Sequence, residues 1–234
     1  MISSATDTLT PKQFITHNQT LISSSEFFEL GFFTPSNSNN SYLGIWYKNI
    51  PVHTVAWVAN RGNPLNDESG ILKFDKSNLV AQLLDSGNLV LKYEQNNDLK
   101  SFLWQSFDYP SDTLLEDMKL GWDLRIGLDR HLTSWKSPSD PTPSSYTYKM
   151  DIRGSPQLVL HNGSVEQFRS GLWNGLRFTG TPELNKNPVF KPIFVSNDEE
   201  VYYAFEHSNY SDISRLVLGP AGLLQRIAWN HRSL

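Results

Sequence analysis

Short apolar stretches alternate with polar residues along most of the chain and are separated by turn clusters, a pattern that predicts strands rather than helices. Tyr146, Tyr148, Met150 and Ile152 alternate with Thr147, Lys149 and Asp151 until Gly154-Ser155-Pro156 breaks the run. Leu158 and Leu160 lead into His161-Asn162-Gly163, and Asn-Gly is a hairpin signal. Val201, Tyr203 and Phe205 alternate with Tyr202, Ala204 and Glu206. Leu216 and Leu218 precede Gly219-Pro220-Ala221-Gly222, after which Leu223, Gln225, Ile227 and Trp229 share one face. A period of two sets one face against a core and the other in water. Only Leu114–Leu120 reads as a short helix. The pattern as a whole predicts an all-β chain: a sandwich, barrel or prism of antiparallel strands.

Asp75-Lys76-Ser77-Asn78-Leu79-Val80 recurs ten residues later as Asp85-Ser86-Gly87-Asn88-Leu89-Val90. That offset matches one strand of ~5–6 residues plus one turn, with Asp and Asn serving the turn and Leu-Val starting the strand. A boundary is expected near Gly121–Gly127, dividing the chain into units 1–125 and 126–234. The proline-rich stretch Ser137–Pro143 reads as an extended surface connection.

Composition narrows the function. The 234 residues are 38% hydrophobic and 12% aromatic, too apolar for a disordered chain. A net charge of −4 argues against nucleic acid as a partner. No apolar run approaches the ~18 residues of a membrane span, so no membrane insertion is expected. The absence of Cys excludes disulfides, Cys-ligated zinc and thiol catalysis within these residues. Met1–Thr10 has neither the basic nor the apolar region of a secretory signal.

Seven collinear motifs carry a resemblance: FELGFF at Phe28–Phe33, YLGIWY at Tyr42–Tyr47, VAWVANR at Val55–Arg61, LWQSFDYPSDTLL at Leu103–Leu115, MKLGWD at Met118–Asp123, LTSWKSPSDP at Leu132–Pro141 and RSGLWNG at Arg169–Gly175. The chain resembles the plant S-locus glycoproteins and the extracellular region of S-domain (G-type lectin) receptor kinases. The resemblance implies a bulb-type, mannose-binding-like lectin β-prism in 1–125 and an S-locus glycoprotein domain, itself lectin-like, in 126–234. EGF-like and PAN modules, a membrane helix and a Ser/Thr kinase would follow in a longer parent protein. It implies a non-catalytic role in recognition of a peptide or protein ligand, with a possible receptor homodimer, in pollen recognition, self-incompatibility or defence. The location implied is extracellular, or the outer face of the plasma membrane. The alternative is a soluble lectin for mannose-type glycans.

The family's sugar pocket has the pattern Q-x-D-x-N-x-V-x-Y, in which alternate residues share one face of a strand. Aligned on Asn88, this chain offers Leu84, Ser86, Asn88, Val90 and Lys92; aligned on Asn78, it offers Phe74, Lys76, Asn78, Val80 and Gln82. Only Asn78, Val80, Asn88 and Val90 match, so the carbohydrate sites are degenerate and mannose binding is expected to be weak or absent. Each lost hydrogen bond removes ~0.5–1.5 kcal/mol.

No catalytic motif is present. The six His are scattered without zinc-pair spacing, so no metal and no cofactor is expected. Asp198-Glu199-Glu200 reads as a solvated turn, and most Trp as core. Asn18, Asn39, Asn162 and Asn209 are N-glycosylation candidates, a number close to the roughly three that composition alone supplies.

Relatives of this kind carry a further strand pair, typically with a Val-Trp-Ser stretch, where Val80 here joins Ala81 directly. Two strands of ~5–6 residues with their turns amount to roughly twenty residues. The first prism is therefore expected to lack a hairpin, to be the less stable half, and to bring the Asn78 and Asn88 repeats into neighbouring strands.

Overall fold

The computed structural model describes residues 6–50, 52–95, 101–181, 189–208 and 212–230. It is an all-β chain of antiparallel sheets, and the only helical turn among the described residues is the 3-10 turn Ser106–Asp108. The chain packs as two compact units: 1–107 with 139–142, and 108–138 with 143–234.

Unit 1 holds β1 (Thr8–Leu9), β2 (Leu21–Ile22), β3 (Phe28–Phe33), β4 (Tyr42–Tyr47), β5 (Thr54–Val58), β6 (Leu79–Leu83), β7 (Leu89–Tyr93) and β8 (Trp104–Gln105). They form two four-stranded sheets, β2-β3-β4-β5 and β1-β6-β7-β8. Gly31 and Gly44, one from each of the first two aromatic motifs, face each other across β3 and β4. A Cβ on Gly44 would lie 2.6 Å from the Phe33 ring and 2.9 Å from the Trp57 carbonyl oxygen. The bare backbone is what lets these large rings close over the core with Leu30, Tyr42 and Ile45; each buried aromatic or aliphatic side chain contributes ~1.5–3 kcal/mol. Glu29, the one charged residue of its motif, accepts from Trp46 Nε1 (3.0 Å) and Thr20 Oγ1 (2.8 Å).

The expected join at Val80–Ala81 falls in the middle of β6, which is continuous there. β6 pairs with β7 from Leu79↔Tyr93 to Leu83↔Leu89 and with β1 on its other side. The two repeats thus lie on neighbouring strands. Outside these sheets, among the described residues, unit 1 keeps two isolated bridges, Ile15↔Leu72 and Ser41↔Leu65.

Unit 2 holds β9 (Thr113–Leu114), β10 (Leu120–Asp123), β11 (Leu128–Arg130), β12 (Leu132–Ser137), β13 (Asp140–Asp151, whose first residues pack with unit 1), β14 (Gln157–Asn162), β15 (Val165–Arg169), β16 (Phe190–Ser196), β17 (Glu200–His207), β18 (Asp212–Leu218) and β19 (Leu224–Asn230). Three sheets result: β11-β10-β17-β16, β12-β13-β14-β15 and β19-β18-β9. The alternating segments are strands, and β14 turns into β15 at Asn162-Gly163 with Gly163 at φ 59°. Val201, Tyr203 and Phe205 are buried. The acidic run is the turn between β16 and β17, where Asn197 Oδ1 accepts the N–H groups of Glu199 and Glu200.

Two expectations differ from the structure. Leu114–Leu120 is not a helix: Leu114 pairs with Leu216, Asp117 has a positive φ of 64° in a turn, and Leu120 pairs with Tyr203. Ser137–Pro143 is not a connector but the hairpin from β12 into β13. Pro141 and Pro143 are tolerated because the β14 ladder starts only at Tyr146↔Asn162, leaving that edge without amides to pair. Packing groups the chain after residue 107. Residues 108–125 go with unit 2, because β9 pairs with β18 and β10 with β17.

Candidate functional site

Four residues, Asn78, Val80, Asn88 and Val90, match the sugar pattern of what reads as a degenerate site. Val80 and Val90 are buried on one face of adjacent strands, diagonal to each other, since Val90 stands opposite Gln82. Asn78 is exposed in the turn before β6, and its carbonyl accepts the Glu94 N–H (3.0 Å). Asn88 is buried. Its Nδ2 donates to Gln105 Oε1 (2.9 Å), and its Oδ1 accepts from Ser106 Oγ (3.1 Å) and Phe107 N–H (3.2 Å). Both lone pairs of that oxygen are engaged, which leaves a sugar hydroxyl no acceptor there. Ser106 Oγ in turn accepts the Leu89 N–H (2.9 Å). Asn88 is thus the clasp that holds the 3-10 turn against β7. Of the remaining positions, Gln82 donates to Asp7 Oδ2 (2.8 Å).

The residues that carry the motifs are structural in the same sense. Asn60 Oδ1 accepts the Leu43 N–H, and Arg61, buried, donates through Nε to the Pro141 carbonyl (2.7 Å). Asp108 accepts from Arg130 Nε (2.7 Å). Trp122 Nε1 donates to the Met150 carbonyl (2.9 Å). In RSGLWNG, Trp173 packs edge-on against Phe178 and tilted against Phe194, while Asn174 Oδ1 accepts the N–H groups of Leu176 and Arg177 to form a small turn. These motif residues hold the framework together.

One cluster has the look of an acid–base–nucleophile line that sequence reading missed. Glu116 Oε2 lies 2.8 Å from His207 Nδ1, and His207 Nε2 lies 3.1 Å from Ser214 Oγ. Its chemistry is closed. Ser214 is 1% exposed. Its backbone N–H donates to His207 Nε2 (2.9 Å), so Nε2 acts as an acceptor and Nδ1–H as the donor to Glu116. Arg226 donates to Ser214 Oγ (3.2 Å). The cluster is a bracket tying β17 to β18.

Available surface concentrates elsewhere in unit 2. β15 is an edge strand exposed almost throughout, with Val165 and Phe168 open to solvent. The turn that follows adds Leu172 and Leu176, the latter 78% exposed. These residues fall within twelve positions of the chain. They are held from below by a charge network: Arg169 Nη2 donates to Glu166 Oε2 (2.7 Å) and Asp151 Oδ2 (3.2 Å). The Arg153 guanidinium, against the opposing effect of burial, and then Arg169 hold the Asp151 carboxyl well below the ordinary carboxylate range. A depressed carboxyl stabilises the fold fully above its unfolded pKa of ~3.9 and loses that contribution as pH falls toward the folded value. Acid unfolding of Asp151→Asn, followed by near-UV circular dichroism, is expected to show a flatter loss of stability below about pH 4. An unchanged acid limb would contradict this assignment.

Of the glycosylation candidates, Asn18 and Asn39 are exposed, and Asn162 is half-buried with its Oδ1 accepting from Ser145 Oγ (2.6 Å). Asn209 lies outside the described residues. No helix among the described residues is long and apolar enough to cross a membrane.

Comparison with known proteins is consistent along the chain. Residues 73–136 match the D-mannose binding lectin family and residues 168–234 the S-locus glycoprotein domain. The S-locus-specific glycoprotein S6 of Brassica oleracea is 45% identical over 240 aligned positions, taking in 92% of this chain and 55% of the relative. Receptor-like serine/threonine-protein kinase SD1-8 of Arabidopsis thaliana is 42% identical over 250 positions, taking in 97% of this chain and 29% of the relative. The G-type lectin S-receptor-like serine/threonine-protein kinase SRK of Arabidopsis thaliana is 41% identical over 249 positions, with 97% and 29% covered. The chain therefore spans about half the length of the glycoprotein and under a third of the receptor kinases. For SD1-8, 250 aligned positions use only 97% of 234 residues, or about 227, so the relative fills about 23 positions at which this chain has nothing. The matched regions are lectin and S-locus glycoprotein regions and include no kinase domain. The chain belongs to the family of S-locus glycoproteins and S-domain receptor kinases.

Proposed function

We propose that this chain is a non-catalytic recognition module that acts outside the cell and takes a peptide or protein ligand rather than mannose. The observation that carries the reading is the contrast between the two candidate surfaces. Asn88, Val80 and Val90 are spent on the interior of unit 1, whereas the edge strand β15 and the turn after it present Val165, Phe168, Leu172 and Leu176 to solvent. An open strand edge offers backbone hydrogen bonds to an extended peptide, and exposed apolar side chains beside it supply pockets for alternate residues. Glu166 and Arg169 on the same strand discourage indiscriminate edge pairing. Relatives named as receptors and as S-locus-specific glycoproteins support recognition as the class of function. Pairing of two such modules around one ligand, and a role in pollen recognition or defence, belong to the same reading.

A phage-displayed library of extended peptides tests it together with calorimetric titration of methyl α-mannoside. The expected result is that enriched peptides bind the chain at least tenfold more weakly when Phe168→Asp and Leu176→Asp are combined, and that mannoside gives no heat. Saturable mannoside binding lost in Asn78→Ala, or peptides indifferent to the double variant, would overturn the reading.

A further inference from the structure

The sequence holds two Asn-Gly steps, Asn162-Gly163 and Asn174-Gly175. Such a step carries both partners of a reaction. The backbone nitrogen after Asn stands one ring closure away from the side-chain amide carbon, and Gly has no side chain to block the approach or restrict the backbone. The fold treats the two steps differently.

At Asn162 the reacting groups are held in a sheet. Asn162 pairs with Tyr146 on β13 and with Val165 on β15. The Gly163 N–H, on the nitrogen that would attack, donates to the Ser145 carbonyl (2.8 Å). Asn162 Oδ1 is itself fixed by Ser145 Oγ (2.6 Å). Attack there would break the bond on the nitrogen and disturb the ladder.

Asn174 lies outside the strands, and Asn174, Gly175 and Leu176 are all exposed. Gly175 has a φ of 97°, and no atom lies within 4 Å of the place a Cβ would take. Among the described residues its N–H has no hydrogen-bond partner. The N–H groups of Leu176 (3.0 Å) and Arg177 (2.9 Å) both point at Asn174 Oδ1. That oxygen gains negative charge when a nitrogen adds to the carbon beneath it, and fixed donors at about 2.7–3.1 Å stabilise such an oxyanion. The turn thus pairs an untied nucleophile with a polarised carbonyl.

We infer that Asn174 is a self-modifying site, deamidated by its own backbone. A solvent base, hydroxide or buffer, takes the Gly175 amide proton, and the nitrogen bonds to Asn174 Cγ. The Cγ–Nδ2 bond breaks, and Nδ2 takes a proton from water and leaves as ammonia. Water then opens the cyclic imide at either carbonyl. One opening gives aspartate; the other gives isoaspartate, with the main chain rerouted through the side chain. Both products place a negative charge in the segment between Leu172 and Leu176. That segment belongs to the surface read above as ligand-facing, but the modification is a property of the turn and stands whatever the surface binds.

Both steps are followed in one sample of the full chain, produced without glycosylation and held folded in mildly alkaline buffer. Peptide mapping by mass spectrometry reads the conversion, and methyl transfer by an isoaspartyl methyltransferase counts isoaspartate. Asn174 is expected to convert at least about tenfold faster than Asn162, whose nitrogen must first give up its hydrogen bond. Both aspartate and isoaspartate are expected as products. In denaturant the two rates are expected to converge, with Asn174 no faster than in the folded chain. Gly175→Ala, which shields the nitrogen, is expected to slow conversion at Asn174 at least tenfold and to leave Asn162 unchanged. Equal rates at the two steps in the folded chain would overturn the inference. So would slower conversion of Asn174 when folded than when denatured, which would make the turn a protection, or aspartate as the sole product, which would mean direct hydrolysis.

Discussion

Gly121→Ala is expected to unfold unit 2 or to leave it barely folded. Gly121 sits in the middle of β10 at φ 145°, a backbone state that side-chain-bearing residues rarely adopt, paired with Arg130 on one side and Tyr202 on the other. An added Cβ would fall onto the Val201 carbonyl oxygen and within 2.7 Å of the Tyr202 Cα. Those atoms belong to the ladder itself and have no room to retreat without opening β10 from β17. Backbone strain alone costs about 1–3 kcal/mol, and loss of ladder hydrogen bonds brings the total to about 4 kcal/mol or more, out of a typical domain stability of ~5–15 kcal/mol. Denaturant unfolding of the full chain checks this, with hydrogen exchange assigning the loss to strands β10 and β17. A variant as stable as the parent would mean that the β10–β17 register is wrong.

Asn88→Ala is expected to cost about 2–6 kcal/mol in unit 1, from one buried donor and one buried hydroxyl losing their acceptor at ~1–3 kcal/mol each. The amide N–H of Phe107 and the Ser106 hydroxyl are the groups stranded, and Gln105 Oε1 loses its donor. A sugar-binding Asn would behave in the opposite way, since its replacement abolishes binding and leaves folding nearly unchanged. Thermal unfolding measured alongside mannoside titration separates the two. A stability change under about 0.5 kcal/mol, the range of ordinary surface substitutions, would show that Asn88 is no clasp.

These residues also show where reading the sequence succeeds and stops. The strands from Tyr146 to Arg169 are legible because their information is local: alternation sets the faces, and Asn162-Gly163 sets the hairpin. Leu114–Leu120 misleads because Leu114, Leu115, Met118 and Leu120 are all buried, as on a helix face, yet Leu114 pairs with Leu216 on β18 and Leu120 with Tyr203 on β17, 102 and 83 residues away. The same distant pairings move the packing boundary to residue 107. The role of Asn88 depends on groups 17 to 19 residues further on, which no local motif announces. The exposed side chains of Val165–Leu176 were equally hidden, because an edge strand and an inner strand read alike until their neighbours are known.

The continuity of β6 has a consequence for how such chains vary in length. A strand records only parity, since its side chains repeat every two residues and a slip of one would turn every apolar group outward. Leu79 and Val80 come from one repeat, and Ala81 to Leu83 lead into the next, but the joined strand keeps Leu79 opposite Tyr93 and Leu83 opposite Leu89 without a bulge. Repeats that share one in-and-out phase behave as interchangeable cassettes. Removing a stretch of even length between them would keep the phase of the sheet, and the cost of such a change would fall away from the seam, on whatever the removed stretch had covered.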